Sequence, residues 1–368
     1  MIFSCETADL SRALSIVSHS LAVRSPKPIL EGVLMESCDE GIRLFCTDLS
    51  LGIETVFPAT IQDEGRVVMP GKLFCDVVRK LPGGQTTLNV GERWQTTISC
   101  QTFRMTIAGL DPVEYPELPE VKGESFSMEQ GKLRGMIGGT LFATAVDESR
   151  PILTGCLMEM DCESLTMVAL DGFRLALRKE AVHGPDHSCQ AVLGGKVLGD
   201  ISKILDESEE PVTICTSRSH VEMRIGPTHI VARTLEGEFI RYRQILPTEW
   251  KTSTVVSRRE LDSAIDRASL IAREAKSNLV RFHIDDEELC VTSNSETSDT
   301  EERILVRTVG ASLAISFNVR YITDVLRVLS DDELVMRFNS EVSPCVICPE
   351  QGDGYLYLVL PVRVFNAQ

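Results

Sequence analysis

Three segments of this chain align without a gap: residues 69–81, 193–205 and 317–329. Lys72, Lys196 and Arg320 stand 124 residues apart, as do Asp76, Asp200 and Asp324, then Arg79, Lys203 and Arg327, then Leu81, Leu205 and Leu329. A fixed period constrains the fold more than any composition, because one structural unit must satisfy all copies. This period is too long for a solenoid, whose units run to ~20–50 residues. The chain therefore reads as tandem domains of ordinary size, each able to bury its own core. The divisions fall at 1–124, 125–250 and 251–368, near the polar stretches Gly123-Glu-Ser and Thr248-Glu-Trp-Lys-Thr.

Each copy is expected to hold two helices and several antiparallel strands, an α+β pattern. The first helix shows apolar residues at helical spacing: Leu10, Leu14, Val17; Leu133, Ile137, Leu141; Leu261, Ile265, Ala268. Ser127 with Gln130 and Ser257 with Glu260 have capping-box spacing at two of the three starts. The second helix is the 124-residue repeat itself, with Pro70 at its entry. Gly41–Cys46, Ser164–Ala169 and Glu288–Thr292 read as matching strands ending in turn residues Asp48, Asp171 and Asn294. Thr96–Cys100, Val221–Ile225 and Glu333–Phe338 alternate as further strands.

The formal net charge is −17, which by itself argues against nucleic acid. Placement argues differently. Helix positions 0, 4 and 7 share a face, so each second helix carries a basic pair flanking an aspartate. One such stripe is an ordinary solvated face, worth a few tenths of a kcal/mol. Three copies at one position suggest a common partner, and an extended polyanion is the natural candidate. The first helices add Arg12, Lys132 with Arg134, and Arg259 with Arg267. Zinc-finger spacing and RNP aromatics are absent, and only two Trp and five Tyr are present. Base reading and stacking are not indicated, leaving sequence-independent phosphate contact.

Sites for other chemistry do not assemble. Gly194-Gly-Lys196 is followed by Val197 and is no P-loop. His183-Gly-Pro-Asp-His187 with Cys189 reads as a loop, since Gly and Pro break a helix there. Asp285-Asp-Glu-Glu288 reads as a hairpin turn. Twelve scattered cysteines, Cys345-x-x-Cys348 included, fit buried free thiols in a reducing compartment. No metal and no cofactor is expected. No apolar run reaches the ~18–20 residues that would span a bilayer, and a cytoplasmic location is expected. Two alternatives stay open on residues alone: a hydrolase or transferase built from distant carboxylates, and a scaffold binding acidic proteins.

Over its whole length the chain resembles the β sliding clamp family, the processivity subunits of bacterial DNA polymerase III. The resemblance rests on Pro28-Ile-Leu30, Thr47-Asp-Leu49, Pro70-Gly-Lys72, Leu110-Asp-Pro-Val-Glu-Tyr-Pro116 and Asp147-Glu-Ser-Arg-Pro-Ile-Leu-Thr-Gly155. It continues through Asp171-Gly-Phe-Arg-Leu-Ala176, Leu235–Pro247, Phe317-Asn-Val-Arg-Tyr321 and Leu358-Val-Leu-Pro-Val-Arg363. It implies a head-to-tail homodimer whose six domains make a ring, helices lining the hole and sheets forming the wall. Duplex DNA would be held topologically, facing Arg24, Lys72, Arg79, Lys132, Arg134, Arg150, Lys196, Lys203, Arg320 and Arg327. No catalytic site is implied.

The resemblance also implies an apolar pocket between domains two and three. Polymerase, clamp loader and repair proteins would dock short peptides there. Position by position it would comprise Leu153, Leu170, Gly172, Phe173, Arg174, Leu175, Ile240, Ile245, Asn318, Tyr321, Val342, Pro344, Val359, Leu360, Pro361, Val362 and Arg363. Phe173 stands where the family often has His, Leu170 where it often has Thr, and Ile240 and Gln244 where some members have Pro and Arg. The tail Phe365–Gln368 runs past the usual end. Dimer contacts would join Met105 and Ile107 to Leu270 and Ile271.

Overall fold

The structure, a computed structural model, describes residues 1–184 and 188–363. Among the described residues there are six α-helices: α1 (Thr7–Val17), α2 (Gly71–Arg79), α3 (Gln130–Leu141), α4 (Gly195–Ile204), α5 (Arg258–Glu274) and α6 (Val319–Val328). The even-numbered helices begin at 71, 195 and 319, so the sequence period survives as a structural one. Leu10, Leu14 and Val17 of α1, Leu133 and Ile137 of α3, and Leu261, Ile265 and Ala268 of α5 are buried, as their spacing predicts. Phe74 and Val78, Leu198 and Ile201, and Ile322, Val325 and Leu326 anchor α2, α4 and α6.

Helix ends follow local chemistry in some places and sheet pairing in others. The Ser257 hydroxyl accepts from the Glu260 N–H at 3.4 Å, and the Asn318 side chain accepts from the Arg320 N–H at 3.0 Å. Ser127 caps nothing. It lies within strand Ser125–Glu129, its hydroxyl 3.0 Å from that of Thr213. Alternating burial against strand Pro211–Thr216 outweighs the capping signal there. Pro70 ends a strand and precedes α2 by one residue. Asp48 and Asp171 form the expected turns, each accepting two backbone N–H bonds. Asn294 stays in its strand, and Ser295 makes the third turn by accepting from Thr297 and Ser298.

The chain forms two compact units. The first, built mainly from Met1–Gly131 and Lys196–Thr234, contains a five-stranded and an eight-stranded antiparallel sheet. In the larger sheet, Thr228–Arg233 from the second repeat pairs with Leu51–Phe57 from the first, Ile230 opposite Ile53. The hydroxyls of Thr55 and Thr228 meet at 2.9 Å across this seam. The second unit, mainly Lys132–Val182 and the chain from Leu235, contains one twelve-stranded sheet. Its seam joins Arg174–Ala181 to Tyr355–Val359, Leu175 opposite Leu358. Each seam removes two sheet edges that would otherwise be exposed.

Asp285–Glu288 turns between paired strands Leu279–Ile284 and Glu288–Asn294, as read. All twelve cysteines are free, and burial pushes the Cys5 and Cys156 thiols up to about 12. Cys345 and Cys348 are buried in a short strand. Among the described residues no cluster of His, Cys, Asp or Glu could hold a metal, and no helix is long and apolar enough to cross a membrane. Residues 185–187 of the His183–His187 loop, and the Phe365–Gln368 tail, lie outside the described residues.

Candidate nucleic-acid interface and peptide groove

The second helices present their basic residues outward. Lys72, Arg79, Lys196, Lys203, Arg320 and Arg327 are all exposed, while the opposite faces of α2, α4 and α6 are buried. Within each helix the aspartate's ion pair is with the base three residues later, not four residues earlier, although Asp324 is held more closely by Arg174 from outside α6. Asp76 lies 3.6 Å from Arg79, Asp200 2.8 Å from Lys203, and Asp324 3.9 Å from Arg327. An acid N-terminal to its base is the better order on a helix, because it also suits the helix dipole.

The remaining cations of the expected interface are distributed as follows. Arg24 is exposed on a loop with a backbone φ of 59°. Lys132 is exposed and Arg134 half-buried on α3, and Arg150 is exposed just before the short helix Pro151–Thr154. Arg267 on α5 is held by Glu302 through two bonds of 2.6 and 2.8 Å, so it adds little free positive charge. His19 approaches Asp200 at 3.8 Å, but burial outweighs that carboxylate and pushes its pKa down.

The residues of the expected groove separate into a buried floor and an exposed rim. Leu153, Leu170 and Leu175 are at most 4 % exposed and pack with Leu157, Tyr242, Val346 and Leu358. Ile240 and Leu360 lie half-buried against that cluster, and Val359 is fully buried. On residue type alone these read as core, and the structure places them there. The rim is different: Phe173 is 59 %, Val342 58 %, Ile245 44 % and Val362 36 % exposed. Exposed apolar side chains of this kind are the composition expected of a docking surface.

Short-range geometry builds this rim. The Asp171 carboxylate accepts from the Phe173 and Arg174 N–H groups at 2.9 and 3.0 Å, and Gly172 takes a φ of 92° that a side chain would strain. Phe173 is thereby turned outward and Leu175 inward. The Leu360 N–H donates to the Phe173 carbonyl and the Val362 N–H to the Ser316 carbonyl, each at 2.8 Å. These bonds hold the segment that carries half-buried Pro361 and exposed Arg363 against Phe173 and Ser316. Asn318, as the cap of α6, sets the position of Tyr321, whose ring stacks on Phe173 at 6.2 Å and 21°. Pro344 is half-buried beside Val342 in sequence.

Arg174 lies beneath Tyr321, its guanidinium carbon 4.7 Å from the ring centre. It donates to Asp171 at 2.9 Å, Asp324 at 2.6 Å and the Phe142 carbonyl at 2.7 Å. Neither Phe142 nor Asp324 belonged to the expected groove. Asp324 carried a signal, since it recurs at the 124-residue period; Phe142 carried none.

The expected dimer residues lie on one strand and one helix. Strand Phe103–Ala108 is the edge strand of its sheet, with Met105 half-buried and Ile107 only 4 % exposed. Strand alternation turns the Ile107 side chain into the first unit. In the second unit Leu270 is 65 % exposed and Ile271 half-buried on α5. Residues 299–305 pair with Glu288–Asn294 along one side, and Leu305 there is 81 % exposed.

Comparison with known proteins accounts for the whole chain. Sequence profiles of the DNA polymerase III beta subunit match in order: the N-terminal domain at residues 1–119, the central domain at 127–240 and the C-terminal domain at 243–363. The beta sliding clamp of Staphylococcus aureus is 30 % identical over 357 residues, 94 % of this chain and 95 % of that protein. The clamp of Staphylococcus epidermidis matches to the same extent. The DNA polymerase sliding clamp of Bacillus subtilis superposes with a TM-score of 0.96 at 31 % identity, covering 99 % of this chain and all of that one. The beta subunit of Thermotoga maritima gives 0.92 at 30 % over the same shares. Three consecutive domain matches and full-length structural agreement lead to one conclusion: the chain belongs to the DNA polymerase III beta subunit family, the bacterial sliding clamps.

Proposed function

We propose that two copies of this chain close head to tail into a ring around duplex DNA, and that the groove tethers replication and repair proteins by short peptides. As a member of the clamp family the chain is a processivity factor for DNA polymerase rather than an enzyme. The observation that carries the proposal is the repeated exposure of one basic pair on α2, α4 and α6. A ring needs no sequence reading, so phosphate contact suffices. The net charge of −17 per chain then repels DNA from the outside while the stripes make the lining tolerant of it.

The repeat divides the chain into clamp domains at 1–124, 125–250 and 251–368. Edge strand Phe103–Ala108 and the open side of residues 299–305 are the surfaces we assign to the two-copy junction, with Leu270 and Leu305 as apolar contacts. The DNA-facing set remains Arg24, Lys72, Arg79, Lys132, Arg134, Arg150, Lys196, Lys203, Arg320 and Arg327. Peptide anchors would insert between Phe173, Ile245, Val342 and Val362 over the leucine floor. A protein of this role works in the cytoplasm with the replicating chromosome. Light scattering over a dilution series tests the assembly. A mass of twice 40.7 kDa that persists on dilution supports it, and a stable single-chain mass excludes it.

A further inference from the structure

The three stripes have equal sequences but unequal charge. On α4 each lysine has its own acid: Lys196 meets Asp48 at 3.4 Å and Lys203 meets Asp200 at 2.8 Å. On α2, Asp76 is taken by Arg79, and Lys72 forms no ion pair among the described residues. On α6 the aspartate is drawn the other way. Arg174 holds Asp324 at 2.6 Å, whereas Arg327 is 3.9 Å from it and 68 % exposed; Arg320 forms no ion pair among the described residues.

We propose that Arg174 is a positioning residue that couples the peptide groove to the α6 stripe: by drawing the Asp324 carboxylate to 2.6 Å, against 3.9 Å from Arg327, it leaves Arg320 and Arg327 the least compensated of the three basic pairs. The proposal rests on the reading of α6 as DNA-facing and of the Phe173–Tyr321 rim as the groove. Arg174 suits the task because it is anchored on every side. Its side chain is only 12 % exposed, and each of its three nitrogens has a partner: Nε Asp171, Nη1 Asp324 and Nη2 the Phe142 carbonyl. Tyr321 rests on its face and Phe173 stacks on Tyr321. A partner side chain that presses on this aromatic pair therefore bears on the guanidinium that sets the charge of α6. A charge-assisted bond of this length outcompetes the longer, exposed one to Arg327.

The test uses the full chain and a labelled short duplex, with binding followed by anisotropy from low to moderate salt. Arg174→Gln removes the one positive charge that Asp171 and Asp324 share and makes the neighbourhood of α6 more negative by one, so the log–log salt slope should fall by about one and affinity at low salt by roughly five-fold. Asp324→Asn should raise the slope by about one, and Arg174→Gln combined with Asp324→Asn should restore the parent slope. A purely structural role for Arg174 predicts lower thermal stability with an unchanged slope, which would overturn the coupling. Should Arg174→Gln fail to fold, an unchanged slope in Asp324→Asn overturns it alone. Replacing Arg320 and Arg327 by Gln separates the two readings. If that pair leaves the slope unchanged, α6 does not face DNA. If it lowers the slope while the Arg174 and Asp324 variants do not, only the coupling fails.

Discussion

Phe173→Ala is the substitution that separates the groove from the core beneath it. Phe173 is 59 % exposed, so about two-fifths of its surface is covered. A buried aromatic side chain covers 150–250 Å², and at ~25 cal/mol per Å² the covered part contributes no more than about 1.5–2.5 kcal/mol to folding. For a unit of this size that is a fall in Tm of a few degrees. The effect on a docked peptide should be larger. Removing the ring takes away one wall and the stack on Tyr321 at 6.2 Å, about 1.4 kcal/mol or more, hence about tenfold or greater in Kd. Leu175→Ala provides the contrast. At 3 % exposure within the leucine cluster it should cost about 2–5 kcal/mol of stability and loosen the whole floor. The assay is anisotropy of a labelled polymerase-derived peptide alongside thermal unfolding. An unchanged Kd in Phe173→Ala, with Tm intact, would refute the assignment of Phe173 to the groove rim.

Three further outcomes are expected. Charge reversal at Lys72, Lys196 and Arg320 together should weaken retention on DNA without unfolding the chain, since all three are exposed; circular dichroism and a DNA-retention assay read the two effects. Gly41→Ala should destabilise the first unit by roughly 2 kcal/mol or more, because Gly41 has a φ of +136° and its Cβ would lie 2.2 Å from the Phe57 carbonyl; urea unfolding measures it. Burial pushes Glu54 up, but its bond to His229 and the nearby Arg43 outweigh this and hold it below the usual carboxylate range. Its contribution is therefore present at neutral pH and lost as pH falls through that depressed value, so Glu54→Gln should flatten the loss of urea stability that the parent shows on acidification below the ordinary carboxylate range.

The elements were legible because the period made them so. A helix starting at 71, 195 and 319 is written three times, and the apolar spacing of Leu261, Ile265 and Ala268 needs no tertiary information. Local signals failed where distant pairing overrode them: Ser127 has the form of a cap, yet Thr213, 86 residues away, draws it into a sheet. The seams were illegible for the same reason, since nothing near Leu51–Phe57 announces a strand at Thr228–Arg233. The groove was reached by resemblance, and residue type could not divide it. Leu153 and Ile245 are equally apolar in sequence, but one is 3 % and the other 44 % exposed. The arginine under the rim was visible, while its partner Asp324 lies 150 positions on.

Retention by an enclosing ring is topological, so the deciding experiment compares DNA shapes. The protein is loaded by a clamp loader onto a nicked circular duplex, freed of unbound material, and followed after the circle is linearised. A ring that holds DNA by enclosing it should stay on the circle for minutes to hours and run off the linear form quickly, even at salt that abolishes direct phosphate contacts. Equal release from circle and line, with both rates rising steeply with salt, would contradict enclosure and leave ordinary electrostatic binding in its place.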